Sequence, residues 1–145
     1  MEGNDIEDLG GGSFRTSASV QRFSQLDQYA MGLLSESQVP TFFYVENPTN
    51  VVPSRDAESG PNVGVTFNGT RRDVLIQDVV AVEGPRIPSA AESPKVHRQA
   101  FLYLVTAGRS PDAGQIDKAD RIRRQWEPFF QQATEGRMQV DTRLR

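Results

Sequence analysis

At 145 residues with a net charge of −3, the chain has the length of one ordinary domain, and a chain of that size buries roughly 68–70% of its unfolded surface. Apolar content of 37% and charged content of 24% argue against wholesale disorder, and the lysines and arginines form no block of the kind that grips a nucleic-acid backbone. No apolar run approaches the ~20 residues of a bilayer-spanning helix. The first residues lack the basic-then-apolar layout of a signal peptide, and the absence of cysteine excludes disulfides and thiol chemistry.

Residues 1–20 are acidic, then glycine-rich at Gly10, Gly11 and Gly12, then rich in Ser and Thr. Composition there predicts a flexible or partly ordered leader ahead of a single α+β domain over 21–145. Ser24 and Asp27 have the spacing of a helix cap, and Leu26, Tyr29, Ala30 and Leu33 recur at helical spacing, which gives a short helix over 25–34. The aromatic and β-branched run 42–45 reads as a strand, and the proline-rich stretch 47–61 as a loop or exposed edge. Val63, Val65 and Phe67 alternate with small or polar residues, as in a half-buried strand. Asn68-Gly69 predicts a two-residue hairpin turn that returns the chain through 70–72.

Ile76, Val79 and Val80, followed by Gly84 and Pro85, favour a second short helix ended by glycine, although its β-branched content pulls toward a strand. Residues 85–95 hold three prolines and read as a linker. Residues 97–106 are apolar on both faces and predict a central strand. Ser110-Pro-Asp112 starts a long helix, with proline at its first position. Along it Ile116, Ala119, Ile122, Trp126, Phe129, Phe130 and Ala133 form an apolar stripe, Pro128 introduces a kink, and Gly136 ends it. A last short strand follows at 138–140. The order implies an α+β fold: a small, mostly antiparallel sheet with a long C-terminal amphipathic helix.

Candidate chemistry is sparse. A catalytic zinc needs about three protein ligands and an open position, and the chain offers one histidine, His97, no cysteine and no His-Glu-x-x-His. Asp5, Glu7 and Asp8 lack the spacing of a calcium loop and read as a solvated acidic leader. There is no nucleophile elbow and no phosphate-binding loop. Arg121, Arg123 and Arg124 read as the solvated side of the long helix, and Asn68-Gly-Thr70, which matches a glycosylation triplet, reads as the hairpin turn. No catalytic or metal-ligating residue and no free-standing enzyme emerges. A stand-alone binding or structural module, acting through its proline-rich loops and a sheet edge, is consistent with these residues.

The segment Phe-Ser-x-Leu-Asp-x-Tyr-x-Met-Gly-Leu, residues 23–33, running on to the apolar stretch 39–45, resembles part of large secreted bacterial zinc-metallopeptidase-like proteins. Glu83-Gly-Pro-Arg86 and Ile122-Arg-Arg-x-Trp126-Glu-x-Phe-Phe130 resemble their closing part. The resemblance implies the C-terminal part of such a protein, beyond the metal-binding helix. Met1 would then be an internal methionine, the location extracellular or periplasmic, and zinc a matter for an N-terminal half. It implies that Asp27, Tyr29 and Met31 form a cleft, with Met31 in the floor beneath the metal, Tyr29 near substrate and Asp27 a ligand or an orienting group. The partner would be that N-terminal half or a second copy, with no nucleic acid and no membrane, docking on an apolar face around Leu33, Leu34 and residues 42–44. The simpler reading makes Tyr29 core, Met31 a gap-filler and Asp27 a helix cap.

Overall fold

The computed structural model describes residues 3–56 and 58–143. The fold is α+β. The chain divides into two compact units, Met1–Ala91 and Glu92–Arg145, where a single domain over 21–145 was expected.

The first unit holds a four-stranded antiparallel sheet ordered β1-β2-β4-β3, from β1 (Gly3–Gly10), β2 (Ser13–Val20), β3 (Phe42–Val52) and β4 (Thr66–Val74). The expected leader is thus a hairpin. Gly11 and Gly12 form its turn at φ 62° and 78°, a left-handed conformation open to glycine. Its acidic residues are paired with arginines: Glu7 with Arg15 at 2.7 Å, Asp5 with Arg22 at 3.4 Å and Asp8 with Arg71 at 3.1 Å. Such exposed pairs contribute only about 0–1 kcal/mol each, so the hairpin is held chiefly by Phe14. That ring is 1% exposed and packs against Phe67 and Phe43, with centroids 5.7 and 6.2 Å away.

Asn68-Gly69 is not a turn. Both residues lie inside β4, between Gly12 on one side and the bulged part of β3 on the other. Gly69 N–H donates to Gly12 O at 2.9 Å, and a β-carbon at Gly69 would sit 2.3 Å from Val45 Cγ1 and 3.0 Å from Glu46 O. Glycine is needed there for close approach within a sheet. β3 runs on through Pro48 because it is an edge strand, with Asn47 and Asn50 at φ 52° and 54° where its register shifts. Gly69→Val forces the bulge off β4. The expected cost is about 1–3 kcal/mol in urea unfolding; an unchanged midpoint would show that the bulge does not press on this site.

α1 (Gln25–Ala30) opens with the expected cap: Asp27 N–H donates to Ser24 Oγ at 3.1 Å, and Ser24 N–H donates to Asp27 Oδ2 at 3.0 Å. It is shorter than periodicity suggested because Gly32, at φ 73°, closes it, with Leu33 N–H reaching Gln28 O and Gly32 N–H reaching Tyr29 O, both at 2.8 Å. A short 3₁₀ turn (Glu36–Gln38) follows. α2 (Ile76–Glu83) ends, as expected, at Gly84. Tyr29 and Val39 pack on Ile76, with Leu26, Val79 and Val80 around them. Leu33 and Leu34 are buried, so the docking face expected around them is not exposed there; of 42–44, Tyr44 is exposed.

The second unit pairs β5 (Val96–Arg98) with β6 (Gln139–Asp141) in parallel, alongside α3 (Ala113–Ala133). The long central strand expected over 97–106 is only these three residues, because the partner strand is equally short. Asp112 caps α3, its carboxylate accepting from Gln115 N–H at 2.8 Å, so Pro111 lies just outside. The helix runs on through Pro128. Phe130 and Ala133 are buried, but Ile116 and Ile122 at the other end of the stripe are exposed. Gly136 closes the helix as expected, its N–H donating to Gln131 O at 2.8 Å.

Glu127 fastens the chain after β6: its carboxylate accepts from Thr142 N–H at 2.8 Å and from the Thr142 hydroxyl at 2.7 Å. The Thr142 amide, then the hydroxyl, hold this carboxyl below the usual glutamate range; Arg143 adds to that, against partial desolvation and the charge of Asp141. A carboxyl whose pKa is lower folded than unfolded contributes stability above its unfolded pKa and loses it as pH falls through the folded one. The Thr142 amide resonance should therefore shift with a midpoint below the ordinary glutamate value, and Glu127→Gln should abolish that titration. A midpoint at the ordinary value would contradict the tether.

Candidate functional site

Three hollows of the first unit bear on the residues singled out in the sequence. The largest, about 600 Å³, lies over one face of the sheet beneath the loop between β3 and β4. Ile6, Val45, Val65 and Phe67 give it an apolar lining, and Asn4, Thr16, Arg55 and Asn62 around it are tied into the fold. The Thr16 hydroxyl donates to Asn62 O at 2.6 Å and accepts from Val65 N–H at 2.9 Å. Asn4 accepts from Asn62 N–H at 3.1 Å and donates to Ala18 O at 3.0 Å, while Arg55 donates to Gly60 O at 2.6 Å. The bonds of Thr16 and Asn4 to Asn62 and Val65 pin the loop to the hairpin, so the hollow is shaped in part by residues 3–20, the stretch that composition marked as a leader. The signal available in the sequence was the alternation Phe14, Thr16, Ala18, Val20, which is the inward face of β2.

Asp27 and Tyr29 both come from α1, but they face different hollows. Asp27 lines one of about 270 Å³ with Arg22, Gln25 and Asp5. Its Oδ2 is already engaged by the amide and hydroxyl of Ser24. Tyr29 borders a hollow of about 350 Å³ with Leu34, Glu36, Arg86 and Ser89. Its ring is buried against Val39 and Ile76, and its hydroxyl oxygen accepts from Arg86 N–H at 3.0 Å. Arg86 also reaches back with its guanidinium, Nε donating to Ala30 O at 2.9 Å and Nη1 donating to Pro88 O. Met31 is the capping residue at the end of α1, before Gly32, and it borders none of these three hollows. The Met-Gly pair therefore has a local cause in the helix end.

Arg86 carries no local sign in the sequence of the role it has in the fold. Its backbone and guanidinium join residues 83–86 to α1, across more than fifty positions of sequence. Among the described residues no group of three or more His, Asp or Glu side chains is placed to hold a metal ion. The zinc that the resemblance implies therefore has no fitting ligand set in the described residues. His97 belongs to the second unit, opposite Val140 in the parallel pair. Of the three hollows, the largest has a mostly apolar lining and the one at Asp27 a mostly polar one.

No helix among the described residues is long and apolar enough to cross a membrane. No protein-family model, no curated protein and no solved structure matches the chain.

Proposed function

We propose that this chain is the non-catalytic C-terminal subdomain of an exported bacterial metallopeptidase-like protein, inactive by itself. In this reading α1 and the Arg86 segment form part of a cleft wall, and the catalytic ligands, zinc among them, come from a separate N-terminal half. One observation supports it above the others: two segments that carry the resemblance, residues 23–33 and 83–86, meet in space through Tyr29 and Arg86. Residues from remote parts of a sequence that build one local structure fit a shared ancestry for that structure better than two coincidental strings would. Tyr29→Phe removes the acceptor from the Arg86 amide. It should cost about 1 kcal/mol in chemical unfolding, and it should speed amide exchange at Arg86. Exchange unchanged at Arg86 would mean that the two segments are not joined this way.

A second reading, a stand-alone binding module, rests on the hollow of about 600 Å³ over the sheet, which has a largely apolar lining and in which Thr16 and Asn4 are already bonded to Asn62. The two are separated by reading the genomic sequence in frame upstream of the Met1 codon. A continuous frame encoding His-Glu-x-x-His and an export signal supports the metallopeptidase reading. A stop codon with a ribosome-binding site directly before Met1 supports the module.

A further inference from the structure

Residues 99–106 are rich in aromatic and branched side chains that favour strands. Yet β5 pairs with β6 only from Val96 to Arg98, and the ladder ends with Gln99 N–H donating to Asp141 O at 3.1 Å. Beyond it, the backbone amides and carbonyls of residues 100–105 have no hydrogen-bond partner among the described residues. Exposure alternates along this stretch: 37% at Phe101, 83% at Leu102, 39% at Tyr103, 87% at Leu104 and 36% at Val105. Period two is the signature of an extended chain. Its better covered face is anchored on α3, where Phe101 stands edge-on to Trp126 at 6.2 Å and the Tyr103 hydroxyl donates to Gln115 Oε1 at 2.8 Å. The stretch is thus held by one face, while among the described residues its backbone is unpaired and its two outward leucines are exposed.

Charge narrows what can pair with it. Arg98 precedes the stretch, opposite Asp141 in the ladder, and Arg109 follows it at the end of the turn closed by Arg109 N–H on Thr106 O at 3.0 Å; neither arginine forms an ion pair among the described residues. A second copy in parallel would set Arg98 beside Arg98, and an antiparallel one would bring Arg98 toward Arg109. Like charges across a ladder oppose pairing in both orientations.

We propose that residues 99–106 are a receptor edge for an extended peptide strand of alternating apolar residues with an acidic residue at each end. Main-chain pairing along the edge supplies affinity, Leu102 and Leu104 select apolar side chains at alternate positions, and the two arginines select the acidic ends. The inference holds for either reading of the chain's function.

The test uses the full chain and two labelled synthetic peptides, in which valine and threonine alternate between terminal glutamates or between terminal lysines. At low ionic strength the glutamate-ended peptide should bind at least about tenfold more tightly by fluorescence anisotropy, and it should slow amide exchange at residues 100–105. Leu104→Lys should abolish binding with the circular dichroism unchanged, since Leu104 is exposed. The double charge reversal Arg98→Glu with Arg109→Glu should transfer the preference to the lysine-ended peptide. No binding, equal binding of both peptides, or unaltered exchange at 100–105 would overturn the proposal. So would a dimer in sedimentation that Leu104→Lys dissociates, because it would assign the edge to a second copy.

Discussion

Phe14→Ala should destabilise the first unit by about 3–5 kcal/mol, the usual range for emptying a fully enclosed phenylalanine site. The ring is 1% exposed and lies against Phe67 of β4 and Phe43 of β3, so its loss opens a void where three strands meet. Collapse is limited there. Gly12 and Gly69 are already in backbone contact on one side of the sheet centre, and the loop held by Thr16 and Asn62 covers the other. Against a total stability of about 5–15 kcal/mol for a domain, most of the unit's margin would be gone. The measurement is urea unfolding followed by a probe in β3 or β4. A change below about 1 kcal/mol would mean that residues 3–20 do not dock as the sheet's outer hairpin.

Trp126→Ala should have the largest effect in the second unit, about 3 kcal/mol, at the low end of the range for large aromatic deletions because the ring is only partly covered. Trp126 touches Phe101, Phe129 and Phe130, with centroids 6.2, 5.8 and 5.5 Å away, and its indole N–H donates to Gln99 Oε1 at 2.6 Å. It is therefore the link that holds residues 99–101 against α3. Removing it should release that stretch as well as loosen the helix, and the near-ultraviolet circular dichroism should fall with it. Trp126→Phe should recover most of the packing but not the bond to Gln99. If Trp126→Ala unfolds at the same denaturant concentration as the parent, the aromatic cluster is not what holds this unit.

Helices were the legible part of this sequence, because their ends are written locally. Ser24 with Asp27, Gly84 and Gly136 each act within a few residues of where they stand, in the role expected of them. Gly32, in contrast, closes α1 ahead of the expected residue 34, and Asp112 caps α3 in place of the expected start at Ser110-Pro111. Strand pairing is decided at a distance and was read less well. Asn68-Gly69 has the composition of a turn, but its glycine answers to Gly12 and Val45, far away along the chain. The acidic leader has the composition of a solvated tail until Arg15, Arg22 and Arg71 are brought opposite its carboxylates. Residues 97–106 have every local mark of a central strand, yet among the described residues only 97 and 98 are paired, on one side, with β6.

The candidate site divides along the same line. Asp27 as a cap and Tyr29 as core followed from spacing alone, whereas the meeting of Tyr29 with Arg86 depends on how α2 returns the chain to α1. The hollow over the sheet is shaped by a hairpin that composition concealed and that only the alternation Phe14, Thr16, Ala18, Val20 signalled.

As proposed above, this chain would work as one part of a larger exported metallopeptidase-like protein. The most direct measurement is the intact mass and metal content of the native product, captured from the source culture with an antibody raised against these residues. The claim predicts a polypeptide well above 16.1 kDa, recovered outside the cytoplasm with bound zinc and cleaving casein. A metal-free product of 16.1 kDa would contradict it.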